Sequence, residues 1–160
     1  MYEKTISFVY KRKKLVKALI VADKLMCALV VALFAFVLLK SFLLSVMLGI
    51  KMGLVCMVPF LLVSFIRKKI NAPRPSQICH FDGAVPTDKE GSSFPSRHAF
   101  SAFCISTVAL SVDFTLGIIG IFVAVLISAI RVLLGYHFIR DVVAGSVIGI
   151  ISGIIGALIF

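Results

Sequence analysis

The chain has 160 residues, enough for one domain, and 61% of them are hydrophobic. A mean hydropathy of +1.13 excludes an ordinary soluble domain and points to an integral membrane protein. Charge is lopsided: 17 Lys and Arg against 7 Asp and Glu give a net +10, which in a membrane chain favours anionic lipid head groups or a phosphate-bearing ligand over nucleic acid. The four cysteines imply no disulfide framework. Cys27, Cys56 and Cys104 sit in apolar runs, and Cys79 beside His80 has no second pair at ligand spacing, so no metal and no cofactor are expected.

Taken in chain order, residues 1–21 alternate Ile6, Phe8, Val9, Tyr10, Leu15 and Val16 with the basic cluster Lys11, Arg12, Lys13, Lys14. That pattern predicts an interfacial helix, retained because no small-residue cleavage site follows it. Five apolar segments then approach the roughly 20 residues needed to cross a bilayer: 24–42, 44–66, 97–113, 116–135 and 141–160. The first two meet in a tight turn near Lys40 and Ser41, with Lys40 and Lys51 placed to snorkel. The expectation is an all-α integral membrane helical bundle of about five transmembrane helices behind an N-terminal interfacial helix, with residues 1–160 as one domain. Gly145, Gly149 and Gly153 recur every four residues along the last span, a stripe that permits close helix packing.

Charged groups at span edges are costly and mark candidate function. Three clusters qualify. Arg67, Lys68 and Lys69 end the second span and lead to Arg74, which is flanked by Pro73 and Pro75; they open a polar stretch over 67–97 long enough to be functional. Ser96, Arg97 and His98 open the third span. Ser96 is a candidate N-cap, so the positive end of that helix suits an anion, Arg97 adds a cationic fork, and His98 can donate a proton to a leaving group. In the last cluster, His137 and Asp141 are four residues apart, so on a helix the carboxylate holds the imidazole in one tautomer and leaves a nitrogen to attack phosphorus. Arg131 can neutralise phosphate oxygens there.

These segments resemble the type 2 phosphatidic acid phosphatase superfamily, which includes vanadium haloperoxidases and bacterial lipid-diphosphate phosphatases. The family signature is Lys, six residues, Arg-Pro; then Pro-Ser-Gly-His; then Ser-Arg, five residues, His, three residues, Asp. Here Arg67, or Lys68 one position on, precedes Arg74-Pro75; Pro95-Ser96-Arg97-His98 carries Arg for Gly; and Arg131, His137 and Asp141 keep the spacing, with Ile130 for Ser. The resemblance spans about residues 23–155, Asp23 included. It implies a metal-independent lipid phosphatase in which His137 takes the phosphoryl group, Asp141 orients it and His98 protonates the departing group. Arg67 or Lys68, Arg74, Ser96, Arg97 and Arg131 would cradle the oxygens before water cleaves the phosphohistidine.

The partners expected are the bilayer and a lipid phosphate of the undecaprenyl diphosphate, phosphatidylglycerophosphate or phosphatidic acid type. Counting spans puts the basic N-terminal segment and the whole site on one face of a multi-pass cell-membrane protein. Family resemblance implies the outer face, whereas the positive-inside rule favours the cytoplasm. Two alternatives stand beside hydrolysis: a lipid head-group phosphotransferase with the same His and Asp chemistry, and an anion channel or transporter, which explains the charges but not the His137 to Asp141 spacing.

Overall fold

The structure, a computed structural model, describes residues 2–78 and 91–159. Cys79, His80, Asp82, Asp88 and Glu90, and with them the expectation for Cys79 and His80, lie outside the described residues. Among the described residues every regular element is a helix: α1 (Tyr2–Tyr10), α2 (Lys13–Leu44), α3 (Val46–Ile70), α4 (Pro75–Ile78), α5 (Arg97–Val112), α6 (Phe114–Leu133) and α7 (Ile139–Ile159).

Four segments are long and apolar enough to span a bilayer, and the fifth expected span is different in kind. At 16 residues α5 is about 24 Å long, short of the roughly 30 Å hydrocarbon thickness. It is the central helix. Ala99, Phe100, Ala102, Phe103, Cys104, Ser106, Thr107, Val108 and Ala109 are all buried, packed against α2 and α3 on one side and α2 and α6 on another. The surrounding helices turn Leu25, Leu29, Leu39, Leu61, Leu62, Phe122 and Ile155 outward. An apolar exterior of that extent belongs in lipid.

Two sequence boundaries move. α2 starts at Lys13 and runs for 32 residues, so only α1, not the whole of 1–21, forms a separate N-terminal helix. Its buried positions Val16, Asp23, Val30 and Val37 recur every seven residues, one stripe facing the bundle, while Lys13, Lys14, Lys17 and Lys24 stay exposed. The turn into α3 falls at Ser45, not at Lys40 and Ser41. Lys40 does not interrupt the helix because its ammonium reaches the end of α5, donating to the Val112 carbonyl at 3.1 Å and pairing with Asp113 at 3.4 Å.

α1 folds back onto the bundle. Ile6, Val9 and Tyr10 pack with Val16, Ile130 and Leu134, and the Tyr10 hydroxyl donates to the Leu134 carbonyl at 2.7 Å. The N-terminal helix thereby braces the end of α6, where the chain turns toward His137.

The glycine stripe of α7 does what its spacing predicts. A Cβ on Gly145 would run into the Ser96 carbonyl and one on Gly149 into the Phe100 carbonyl, and one on Gly153 would lie 2.6 Å from Thr107 Cβ. Without side chains there, α7 lies directly on the backbone of α5. Two of the charged clusters are brought together by that seam, since the Ser96 N–H donates to the Asp141 carbonyl at 2.8 Å.

Candidate active site

The chain leaves α6 through a turn that only glycine makes easily. Gly135 has φ +66°, its N–H bonds the Val132 carbonyl at 3.0 Å, and the Tyr136 N–H bonds the Arg131 carbonyl at 3.1 Å, the two bonds of a Schellman ending. His137 therefore sits in a tight connection, not on the helical face expected from its spacing to Asp141, because α7 begins only at Ile139. The Asp141 side chain reaches back instead: its Oδ2 accepts from the Phe138 N–H at 3.0 Å and lies 3.8 Å from His137 Nδ1. Both side chains are buried, with exposures of 1% and 0%. Burial pushes the His137 imidazole below its ordinary pKa, the Asp141 carboxylate opposes that shift, and Arg67 and Arg74 reinforce it. The result is a neutral ring with Nδ1 toward the carboxylate.

Cations surround this ring. Val63 and Arg67 are one turn apart on the buried face of α3, so Lys68, rotated by about 100°, is exposed. The helix phase thus settles which of the two basic residues turns inward: Arg67 donates to the Pro95 carbonyl at 3.0 Å, next to Ser96, and Lys68 does not join the cluster. Arg74 is buried and donates from Nε to the Gly91 carbonyl at 3.1 Å and from a terminal nitrogen to the Tyr136 carbonyl at 3.4 Å, which fixes it beside His137. Arg131 stacks 5.7 Å from the centre of the Tyr136 ring and is held by Asp23 in a two-point pair at 2.9 and 2.8 Å.

At the head of α5, Ser96 occupies the N-cap position but makes no side-chain cap bond; its Oγ is buried without a hydrogen-bond partner. A buried hydroxyl in that state, beside the outward-pointing first-turn N–H groups of a helix, is suited to an oxyanion. The Arg97 guanidinium lies 5.8 Å from the centre of the Phe60 ring, and the residue lines the same cavity as His98. Next to it, His98 borders a cavity of about 380 Å³ whose other walls include Cys27, Val30, Phe60, Ile105 and Ile127. Buried cations and a largely apolar cavity therefore adjoin one another, with Arg97 and His98 at the boundary.

Two participants were not legible as such. Ser93 is fully buried, with its hydroxyl 2.5 Å from Asp141 Oδ2 and 3.3 Å from His137 Nδ1. Asp23 partners Arg131 across 108 residues. Neither carries a local signal: an isolated acid at a span edge and a serine in a polar stretch acquire these roles only when distant helices meet. Among the described residues no group of three or more His, Cys, Asp or Glu side chains is placed to hold a metal ion.

The PAP2 superfamily model matches residues 48–160, a region that contains the three clusters. Among solved structures, the crystal structure of the first transmembrane PAP2 type phosphatidylglycerolphosphate phosphatase from Bacillus subtilis superposes with a TM-score of 0.76 at 22% identity, covering 99% of this chain and 83% of that one. That likeness concerns the fold. The crystal structure of Aquifex aeolicus LpxE gives a TM-score of 0.73 at 27% identity, covering 98% of this chain and 94% of that one. No curated protein matches. Because the family match extends over more than half of the chain and takes in His98, His137 and Asp141, this protein belongs to the PAP2 superfamily.

Proposed function

We propose that this protein is a lipid phosphatase that hydrolyses the phosphomonoester or diphosphate of a membrane lipid through a phosphohistidine on His137. The observation that carries the reading is the buried His137, Nδ1 toward Asp141, set among Arg67, Arg74 and Arg131 beside the His98 cavity. Nε2 attacks phosphorus, the bond from phosphorus to the lipid oxygen breaks, and His98, which takes up a proton together with the anionic substrate, delivers that proton to the departing oxygen. Water then attacks the phosphohistidine, its proton passes to His98, the P–N bond breaks, and inorganic phosphate leaves. Arg67, Arg74, Arg131, the Ser96 hydroxyl and the α5 N-terminus hold the oxygens as charge builds on them, the term that dominates phosphoryl transfer. The cavity takes the first methylenes of the lipid chain.

The proposal includes an outward-facing site, the family expectation. The exposed collar of Lys13, Lys14, Lys17, Lys24, Lys68 and Lys69 argues for the opposite face, and labelling of an engineered N-terminal cysteine by an impermeant reagent on intact cells decides between them. For activity, purified protein in detergent is offered undecaprenyl diphosphate, phosphatidylglycerophosphate and phosphatidic acid. The expected outcome is phosphate release from at least one of them that survives chelator, is inhibited by vanadate and disappears in His137→Ala. Full activity in that variant, or anion flux in liposomes without phosphate release, contradicts the reading.

A further inference from the structure

At 3.8 Å, His137 Nδ1 and Asp141 Oδ2 are too far apart for a direct hydrogen bond. The Ser93 hydroxyl fills that gap, 2.5 Å from the carboxylate and 3.3 Å from the ring nitrogen. A serine hydroxyl has one hydrogen and two lone pairs, and an ionised carboxylate only accepts. The hydrogen therefore goes to Asp141, and a lone pair faces Nδ1. Only a ring protonated at Nδ1 satisfies that arrangement.

The hydroxyl is held in place from an unrelated part of the chain. The Ser93 N–H bonds the Ala72 carbonyl at 2.8 Å, the Ser92 N–H bonds Asn71 Oδ1 at 3.0 Å, and Gln77 Oε1 accepts from the N–H groups of both Arg74 and Gly91, at 2.8 and 3.1 Å. A side chain on Gly91 would collide with Asn71 Oδ1, so residues 71–77 and 91–93 are held closely against one another. The same segment that carries Arg74 thus sets the position of Ser93.

We propose that Ser93 is a positioning residue: its hydroxyl relays the Asp141 carboxylate to Nδ1, fixes His137 in the Nδ1–H tautomer and leaves the Nε2 lone pair for phosphorus. The consequence for turnover rests on the phosphatase reading above; the tautomer does not. Ser93 acts on the ring and not on the substrate, so its loss lowers kcat and leaves KM nearly unchanged.

The test pairs two readouts on protein in detergent micelles. In ¹⁵N-histidine-labelled protein at mildly alkaline pH, with the His137 signal assigned by its absence from His137→Gln, the wild type shows a protonated Nδ1 and a bare Nε2. Ser93→Ala shifts that signal toward the Nε2–H form preferred by free imidazole, and Ser93→Thr restores it. In turnover of whichever lipid phosphate the wild type cleaves, Ser93→Ala lowers kcat on the order of 10- to 100-fold, with KM within about twofold, and Ser93→Thr recovers most of the loss. If the alanine variant does not purify as a folded species, Ser93→Cys, similar in volume but a poor hydrogen-bond partner, replaces it with the same expectations. An unchanged tautomer in the alanine or cysteine variant overturns the proposal whether or not the protein cleaves lipid phosphates. Absence of cleavage by the wild type overturns the phosphatase reading and leaves the tautomer result standing.

Discussion

The two ends of the bundle carry the same kinds of side chain in opposite circumstances. At the end opposite the site, Lys40 and Asp113 pair at 3.4 Å with side-chain exposures of 39% and 32%, an arrangement that solvent screens and that contributes little. At the other end, Arg67 and Arg74 are buried and donate to backbone carbonyls from other parts of the chain, and the buried Asp141 accepts from the Phe138 N–H and the distant Ser93 hydroxyl. Burying charge is expensive, and a fold retains it where the charge has work on a ligand. The difference separates a fastening from a site.

The comparison breaks most visibly at Arg67 and Lys68, neighbours in sequence but on different faces of α3. Arg67→Ala is expected to lower kcat/KM by on the order of 100-fold, Arg67→Lys to keep much of the activity, and Lys68→Ala to stay within about twofold; equal losses from the two alanine variants would contradict the assignment of Arg67 as the inward cation. The seam beneath the site comes next. Gly149→Leu forces a side chain into the Phe100 carbonyl and is expected to destabilise the protein by about 1–3 kcal/mol, read as a lower denaturation midpoint in detergent, with the Ser96 to Asp141 contact loosened.

A smaller effect is in the pH profile. Because the His137 pKa is lowered from 6.5, the neutral ring persists as pH falls past that value, and with His137 as the proposed nucleophile the acid limb of kcat/KM is expected below it. The linkage has the same sign for stability: the unfolded chain binds the proton more readily, so this residue's contribution is complete above 6.5 and is lost as pH drops through the lower folded value. An acid limb centred above 6.5 would contradict the burial of a neutral ring. Smallest of all, Lys40→Ala is expected to leave turnover within about twofold, which sharpens the contrast between the ends.

The sequence alone exposed the parts of this design that are local. His137 and Asp141, His98 at a helix start, the clusters at helix ends and the four-residue glycine repeat are short patterns with direct physical meaning, and the structure gathers His137, Asp141, Ser96, Arg67, Arg74 and Arg131 into one place. What it hid depends on helix phase or on distant contact. Choosing Arg67 over Lys68 requires knowing which face of α3 is buried, the boundary at Ser45 was masked because Lys40 finds its partner on another helix, and α1 was legible as a basic amphipathic segment but not as a brace on Leu134. Ser93 and Asp23 are the clearest cases. Each owes its role to a partner tens of residues away.

The central claim is a covalent bond to His137. Rapid acid-free quenching of the protein with a ³²P-labelled lipid phosphate that it cleaves is expected to trap label on His137, stable to base and released by acid, and absent from His137→Ala. Turnover with no trapped label at any quench time, or label on another residue, would contradict the account.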